Sequence, residues 1–300
     1  MKRLGKLIAA ENLALAAFGL FTLFAVLGYW NFGLHPERLP QEPWAIRIYQ
    51  VSFPWFARGQ ILFSALALFV ALFRFAGLRW LAPLIAVCSL AFMAEHIGTG
   101  YGIPFSGYSY SGLLGPKFLG RVPWLIPLSW FLMSAPAWVI AKRTFRHRSL
   151  AIAFAAALLV LWDLALDPAM SFLTPYWIWE NPGSFYGMPW INLAGWFGTG
   201  LVLMTALSLL DDRSNWSKDI PTAWSLTYYL VVLAMPLGMV TAAGLWGSTG
   251  ATVAALLAAA ALVRFVPQTR LGPASPSEDR DQVGLGRPTR PTVASAAGGA

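Results

Sequence analysis

The chain has 300 residues, 57% of them hydrophobic and only 11% charged. A soluble domain carries about 25% charged residues, so this composition excludes an ordinary water-soluble fold and points to lipid as the main solvent. The net charge of +8 sits in short basic clusters between apolar runs, which argues against a nucleic-acid partner and marks the clusters as topology signals, while the single cysteine, Cys88, excludes an intrachain disulfide or a cysteine-held cluster.

Met1-Lys2-Arg3 leads into an apolar run from Leu7 to Trp30. The run exceeds the roughly 7–15 residue apolar core of a secretory signal, and no small-residue cleavage site follows it. It is expected to be the first membrane span. Crossing the hydrocarbon core takes about 20 mostly apolar residues. Eight stretches qualify: 8–30, 55–74, 80–97, 122–141, 149–167, 190–210, 222–244 and 249–266. The eighth is short and separated from the seventh only by a turn around Trp246-Gly247-Ser248.

With the N-terminus inside, inner segments carry sixteen of the Lys and Arg residues and outer segments five (Arg38, Arg47, Arg58, Lys117 and Arg121). This is the positive-inside bias. The expected fold is therefore an all-α integral membrane protein of about eight transmembrane helices, with both termini cytoplasmic, in the cell membrane. Residues 1–266 form one transmembrane domain. The tail 267–300 has five Pro, five Gly and no aromatic residue. It cannot bury enough apolar surface to fold and is expected to be disordered.

Three outer segments, near 31–54, 98–121 and 168–189, are long and rich in aromatic residues, Gly and Pro, which places function on that side. Pro123-Trp124 with Trp130, and Pro189-Trp190 with Trp196, share one offset of 66 residues. The offset suggests a parallel duplication with a binding site between the halves. Pro and Trp are also common at membrane interfaces, so the pattern has a bland explanation too.

Ionisable residues inside a membrane are costly and mark function by default. Glu95 and His96 lie near the outer end of the third span, Asp163 and Asp167 in the outer half of the fifth, and Asn192 opens the sixth. Asp163 and Asp167 are four apart and share a helix face. Pro168 is expected to end that helix. Two carboxylates in a low-dielectric site cannot both ionise easily, which leaves a neutral acid beside an ionised base. The alternative is that Asp167 caps the next turn and Asp163 bonds a neighbouring helix. Glu95 is either an acid or a brace for the Gly-rich loop after it, and His96 reads as structural. Glu11, near the inner interface, reads as solvated, as does the inner pair Asp211-Asp212. The loops Gly98–Tyr110 and Tyr176–Tyr186 supply tight backbone and flat rings, suited to a lid over a cavity or to an aromatic belt.

Several chemistries fall away. Three histidines are too few for a histidine-rich di-iron site, and there is no HExxH zinc motif. Gly98-x-Gly100-x-Gly102 lacks the spacing and the preceding strand of a dinucleotide fingerprint. No DDxxD-type metal motif is present. No metal site is expected, which leaves cofactor-free acid–base chemistry on an apolar substrate, or binding alone.

Two strings carry a family resemblance. One runs from Glu95 through Gly98, Tyr101, Pro104, Phe105, Gly107, Tyr108 and Tyr110 to Gly115, Pro123 and Trp130. The other comprises Asp163, Leu166-Asp167-Pro168, Trp177, Trp179, Gly183, Tyr186-Gly187-Met188-Pro189, Asn192 and Gly195-Trp196. Together they resemble the membrane-integral carotenoid 1,2-hydratases, enzymes that hydrate γ-carotene or bisanhydrobacterioruberin at an acyclic end. The resemblance covers residues 80–210 and implies a carotenoid substrate held in the bilayer, water as co-substrate, no cofactor, and association with other carotenoid enzymes.

The residues suit that chemistry. Protonating the alkene at C-2 gives a tertiary cation at C-1, which water then attacks. The site needs a neutral acid in an apolar pocket, and aromatic faces worth about 0.5–2 kcal/mol each to a cation. Asp163 or Asp167 would donate the proton, with Glu95 or the other Asp positioning water. Tyr101, Tyr108, Tyr110, Trp177, Trp179, Tyr186 and Trp196 would contact the substrate, and Asn192 would bond the water or a carboxylate. A carotenoid cyclase also begins by protonating an alkene, and a lipid or carotenoid carrier needs no chemistry; both remain competing readings.

Overall fold

The computed structural model describes residues 9–265. The expected disordered tail and the basic residues Lys2, Arg3 and Lys6 lie outside them. Among the described residues eight helices are long and apolar enough to cross a membrane. They are α1 (Ala10–Gly28), α2 (Pro43–Ala76), α3 (Leu81–Tyr101), α4 (Leu125–Thr144), α5 (Arg148–Asp167), α6 (Trp190–Ser214), α7 (Thr222–Ala242) and α8 (Trp246–Phe265). In a medium without water every backbone group must find an internal partner, and a helix satisfies them along its own length.

The helix ends follow local chemistry. Pro43 opens α2 and Thr222 follows Pro221 at the start of α7, positions where the missing proline N–H costs nothing. Asn215 closes α6 in the left-handed conformation, φ 51°. Three boundaries differ from expectation. Trp246-Gly247-Ser248, expected as the turn before the eighth span, open α8, and the turn lies at 243–245. Residues 43–54, read as loop, belong to α2, whose 34 residues run to about 51 Å at 1.5 Å per residue. That exceeds the roughly 30 Å hydrocarbon core, so polar residues such as Arg47 are tolerated in its first turns. Pro168 does not end the fifth span; the chain continues as a π-helical segment, Pro168–Leu173.

α4 is the central and most buried helix, and α8 is the most peripheral. Around α4 the helices α3, α4, α5 and α6 form a closed square in which each touches the next. α2 and α7 pack on α4, α7 also on α5, α1 packs on α2 and α7, and α8 rests on α5 and α7. Such a square has the neighbour relations of a duplicated α3–α4 and α5–α6 pair. The two tryptophans of the 66-residue offset, Trp130 and Trp196, stack on each other across it at 4.2 Å between ring centres.

The loops between α3 and α4 and between α5 and α6 are not irregular. Strand β1 (Tyr108–Tyr110) pairs antiparallel with β4 (Trp177–Trp179), matching Tyr108 to Trp179 and Tyr110 to Trp177. β2 (Lys117–Phe118) pairs with β3 (Val122–Pro123). The Tyr-x-Tyr and Trp-x-Trp alternation places all four rings on one face of the β1–β4 ribbon, and Ser109 and Ile178 on the other. The ring face is buried and Ile178 is exposed.

Candidate active site

The ribbon roofs a cavity of about 110 Å³ at the loop-rich end of the bundle. Its walls come from both halves of the square. Glu95, Tyr108, Tyr110 and Trp130 face it from the first half, and Asp167, Trp177, Trp179, Asn192 and Trp196 from the second. α2 adds Gln60, and α7 adds Met235.

Glu95 is buried at the end of α3 and held by three neutral donors. Its Oε2 accepts from the Tyr108 and Tyr110 hydroxyls, the latter at 2.7 Å, and its Oε1 from Trp130 Nε1 at 2.8 Å. Burial, and next the adjacent Glu95 charge, push both phenols well above their usual range. They therefore stay protonated and donate. Glu95 thus ties the roof to α3 and α4, so the expected brace is part of its role, yet its carboxylate also borders the cavity.

Asp167 gathers more donors than any other acid here. Its Oδ1 accepts from Ser171 Oγ at 2.8 Å, Trp179 Nε1 at 3.1 Å and Trp177 Nε1 at 3.3 Å. Its Oδ2 accepts from Asn192 Nδ2 at 2.9 Å. The same amide nitrogen donates to Asp163 Oδ2, also at 2.9 Å. One asparagine on α6 thus bridges two carboxylates one turn apart on α5. Asp163 is fully buried behind Asp167, does not line the cavity, and its Oδ1 has no partner among the described residues. Asp163 bonds α6, as the bland alternative expected, but Asp167 makes no side-chain cap: it accepts from the Ser171 hydroxyl and caps no backbone N–H. The bridge adds what that alternative did not anticipate, a shared carboxylate pair.

Close backbone approach holds the loop in place. A Cβ on Gly98 would lie 2.7 Å from the Phe105 ring, and one on Gly195 would lie 2.7 Å from the Pro104 carbonyl. Glycine at both positions lets the Pro104-Phe105 turn wedge between α3 and α6, with Phe105 buried against Trp130.

Two expected substrate contacts are corrected. Tyr101 is 77% exposed at the end of α3, beyond the roof, and borders no part of the cavity. Tyr186 packs on Phe172 and Phe185, and its hydroxyl accepts the Gly247 N–H at 3.0 Å, so it anchors the start of α8 instead. His96 stacks on Phe92 outside the chamber. Glu11 is not solvated: it is buried and paired with Arg74 Nε at 2.7 Å. Asp211 is also buried, held by Lys142 Nζ at 2.6 Å, Trp138 and Ser217. Asp212 alone of these three acids is exposed, pairing with Arg148.

Sequence reasoning missed Trp162, Tyr176 and Gln60, which also line the chamber. Gln60 carries a signal only in retrospect, as an amide in an apolar stretch. Its Oε1 accepts from Thr22 Oγ1 at 3.1 Å, and its buried Nε2 has no partner among the described residues. No group of three or more His, Cys, Asp or Glu side chains converges as a metal site among the described residues.

Fold and site together define a membrane-type helical protein with a small, ring-lined chamber bordered by two acids, Glu95 and Asp167, and backed by a third, Asp163. A family model described as carotenoid biosynthesis protein matches residues 56–260, the part of the chain that builds this chamber, and the chain belongs to that family. A bisanhydrobacterioruberin hydratase of Haloarcula japonica is 29% identical over 202 residues, 66% of each protein. The chain therefore spans just under two thirds of that relative's length. No solved structure matches the chain.

Proposed function

We propose that this protein is a cofactor-independent carotenoid 1,2-hydratase, adding water across the terminal C1=C2 bond of an acyclic end group of the γ-carotene or lycopene type. The observation that carries the reading is the Asn192-bridged Asp163–Asp167 pair, one member of which fronts a cavity ringed by indoles and phenols, with Glu95 in the same cavity.

Two carboxylates sharing one amide bridge in an apolar site cannot both hold a charge cheaply, so the pair keeps one proton between them. Asp167 delivers it to C-2 and the alkene π electrons form the new C–H bond. The tertiary cation at C-1 faces Trp177, Trp179 and Tyr108, each ring worth about 0.5–2 kcal/mol to it. Water attacks C-1 as Glu95 takes its proton, and Gln60 supplies an unused amide donor to orient it. Net, one water is added; proton transfer from Glu95 back to the pair resets the site. Exclusion of bulk water by the β1–β4 roof keeps the acid protonated until substrate arrives and the cation from side reactions.

We place the chain in the cell membrane with both termini cytoplasmic, on the strength of its basic-residue bias. The roof then faces the outer side, and the carotenoid arrives from the bilayer. Hydratase activity in the relative named above and membership of the carotenoid biosynthesis family support the substrate class. The test is expression in cells accumulating γ-carotene or lycopene, with mass analysis of pigments. A product heavier by one water is expected. A product of unchanged mass makes the protein a cyclase, and pigment retained by the protein with no product makes it a carrier.

A further inference from the structure

The reacting chamber is too small for its proposed substrate. At about 110 Å³ it is smaller than the roughly 150 Å³ cavity that accommodates a single benzene ring. It takes an end group, and the long conjugated chain must lie elsewhere.

A second cavity, of about 410 Å³, lies between the end of α1, the 29–40 segment and the first half of α2. No charged side chain lines it. Its rings are Tyr29, Phe32, Trp44, Tyr49, Phe53 and Phe56. Two of the polar side chains on its wall are bonded within the protein: Ser52 Oγ donates to Tyr49 O at 2.7 Å, and the Tyr176 hydroxyl donates to Phe53 O at 2.6 Å. The two cavities stack along the same helices. On α2, Phe53 and Phe56 face the larger one, and the next residues inward, Ala57 and Gln60, face the chamber. On α7, Met239 faces the larger one and Pro236 the chamber. Tyr176 and Met235 border both.

We propose that this second cavity is a polyene-binding site that holds the conjugated hydrocarbon chain of the same substrate molecule, with Tyr176 and Met235 as a collar between chain and reacting tip. The inference rests on the hydratase reading. Flat rings match a flat conjugated chain, and an uncharged wall suits a hydrocarbon rather than a headgroup. A methionine at the collar is flexible enough to pass a methyl-branched chain and close around it.

The test measures lycopene retained by the purified full-length protein in detergent. Ala45→Trp fills the cavity from α2, where Ala45 is buried on its wall, and Met239→Trp fills it from α7. Both variants are checked for a monodisperse peak and an unchanged melting temperature, and two sites of entry guard against one failing to fold. About tenfold weaker retention or more is expected of each folded variant. Wild-type retention in a folded filled variant overturns the proposal, as does recovery of membrane phospholipid that lycopene cannot displace at any load. If the wild type retains lycopene but returns it unhydrated, and the filled variants lose that retention, the second site stands and the hydratase reading falls. If the filled variants hydrate lycopene at wild-type retention, the reverse holds.

Discussion

Buried carboxylates occur at both ends of the bundle and are held in opposite ways. At the end where the basic residues gather, Glu11 meets Arg74 and Asp211 meets Lys142. Each has a cation to fix its charge. At the roofed end, the donors on Glu95, Asp163 and Asp167 are neutral: tyrosine, tryptophan, serine and asparagine. A carboxylate locked to a cation holds a structure together but takes up a proton only with difficulty, so it has none to donate. A carboxylate among neutral donors can exist in either form, which is what acid catalysis needs. The first kind closes loops such as 215–221 against α4, and the second kind lines a chamber.

The contrast is broken most forcefully at the carboxylate pair. Asp167→Asn and Asp163→Asn should each lower hydration per folded molecule by about 10²–10⁴-fold, the usual worth of a general acid, measured as turnover of the purified protein. Next comes the ring wall. Trp179→Leu should slow turnover about three- to thirtyfold through loss of an aromatic face, and Trp179→Phe should slow it less, because it keeps the ring and loses only the N–H to Asp167. At the opposite end the readout changes. Asp211→Asn should lower stability by about 1–3 kcal/mol, since it leaves buried donors unmatched while Lys142 stays partly solvated, and turnover per folded molecule should not change. Thermal unfolding and kinetics together check that separation. Smallest of all, Tyr101→Phe should leave turnover within about twofold, because its ring is exposed beyond the roof.

Much of this was readable in the sequence. The eight apolar runs match the eight helices because lipid imposes one rule, length with few charges. Asp163, Asp167 and Asn192 stood out because polar groups in such runs are rare, and helical spacing placed the two acids on one face. The roof was harder. Tyr108-Ser109-Tyr110 and Trp177-Ile178-Trp179 alternate with the period of a strand, but three residues are too few to separate a strand from an aromatic belt, and their pairing spans 65 residues or more of chain. Side-chain direction at a helix end, as for Tyr101, or in a loop, as for Tyr186, is not readable from the sequence, so both stand there as substrate contacts beside genuine wall residues. Residues 43–54 were hidden by Arg47, Gln50 and Pro54, which break an apolar window without breaking a helix that outruns the bilayer. Glu11 and Asp211 looked solvated because their cations, Arg74 and Lys142, are 63 and 69 residues away.

The account stands on a proton passing from the buried carboxylate pair to a carbon of the alkene. Purified protein turning over an acyclic carotenoid in deuterated water tests this directly. Product carrying one deuterium at C-2, together with its near disappearance in Asp167→Asn, is the predicted result. Product with no deuterium on carbon, or full yield from both Asp163→Asn and Asp167→Asn, would contradict it.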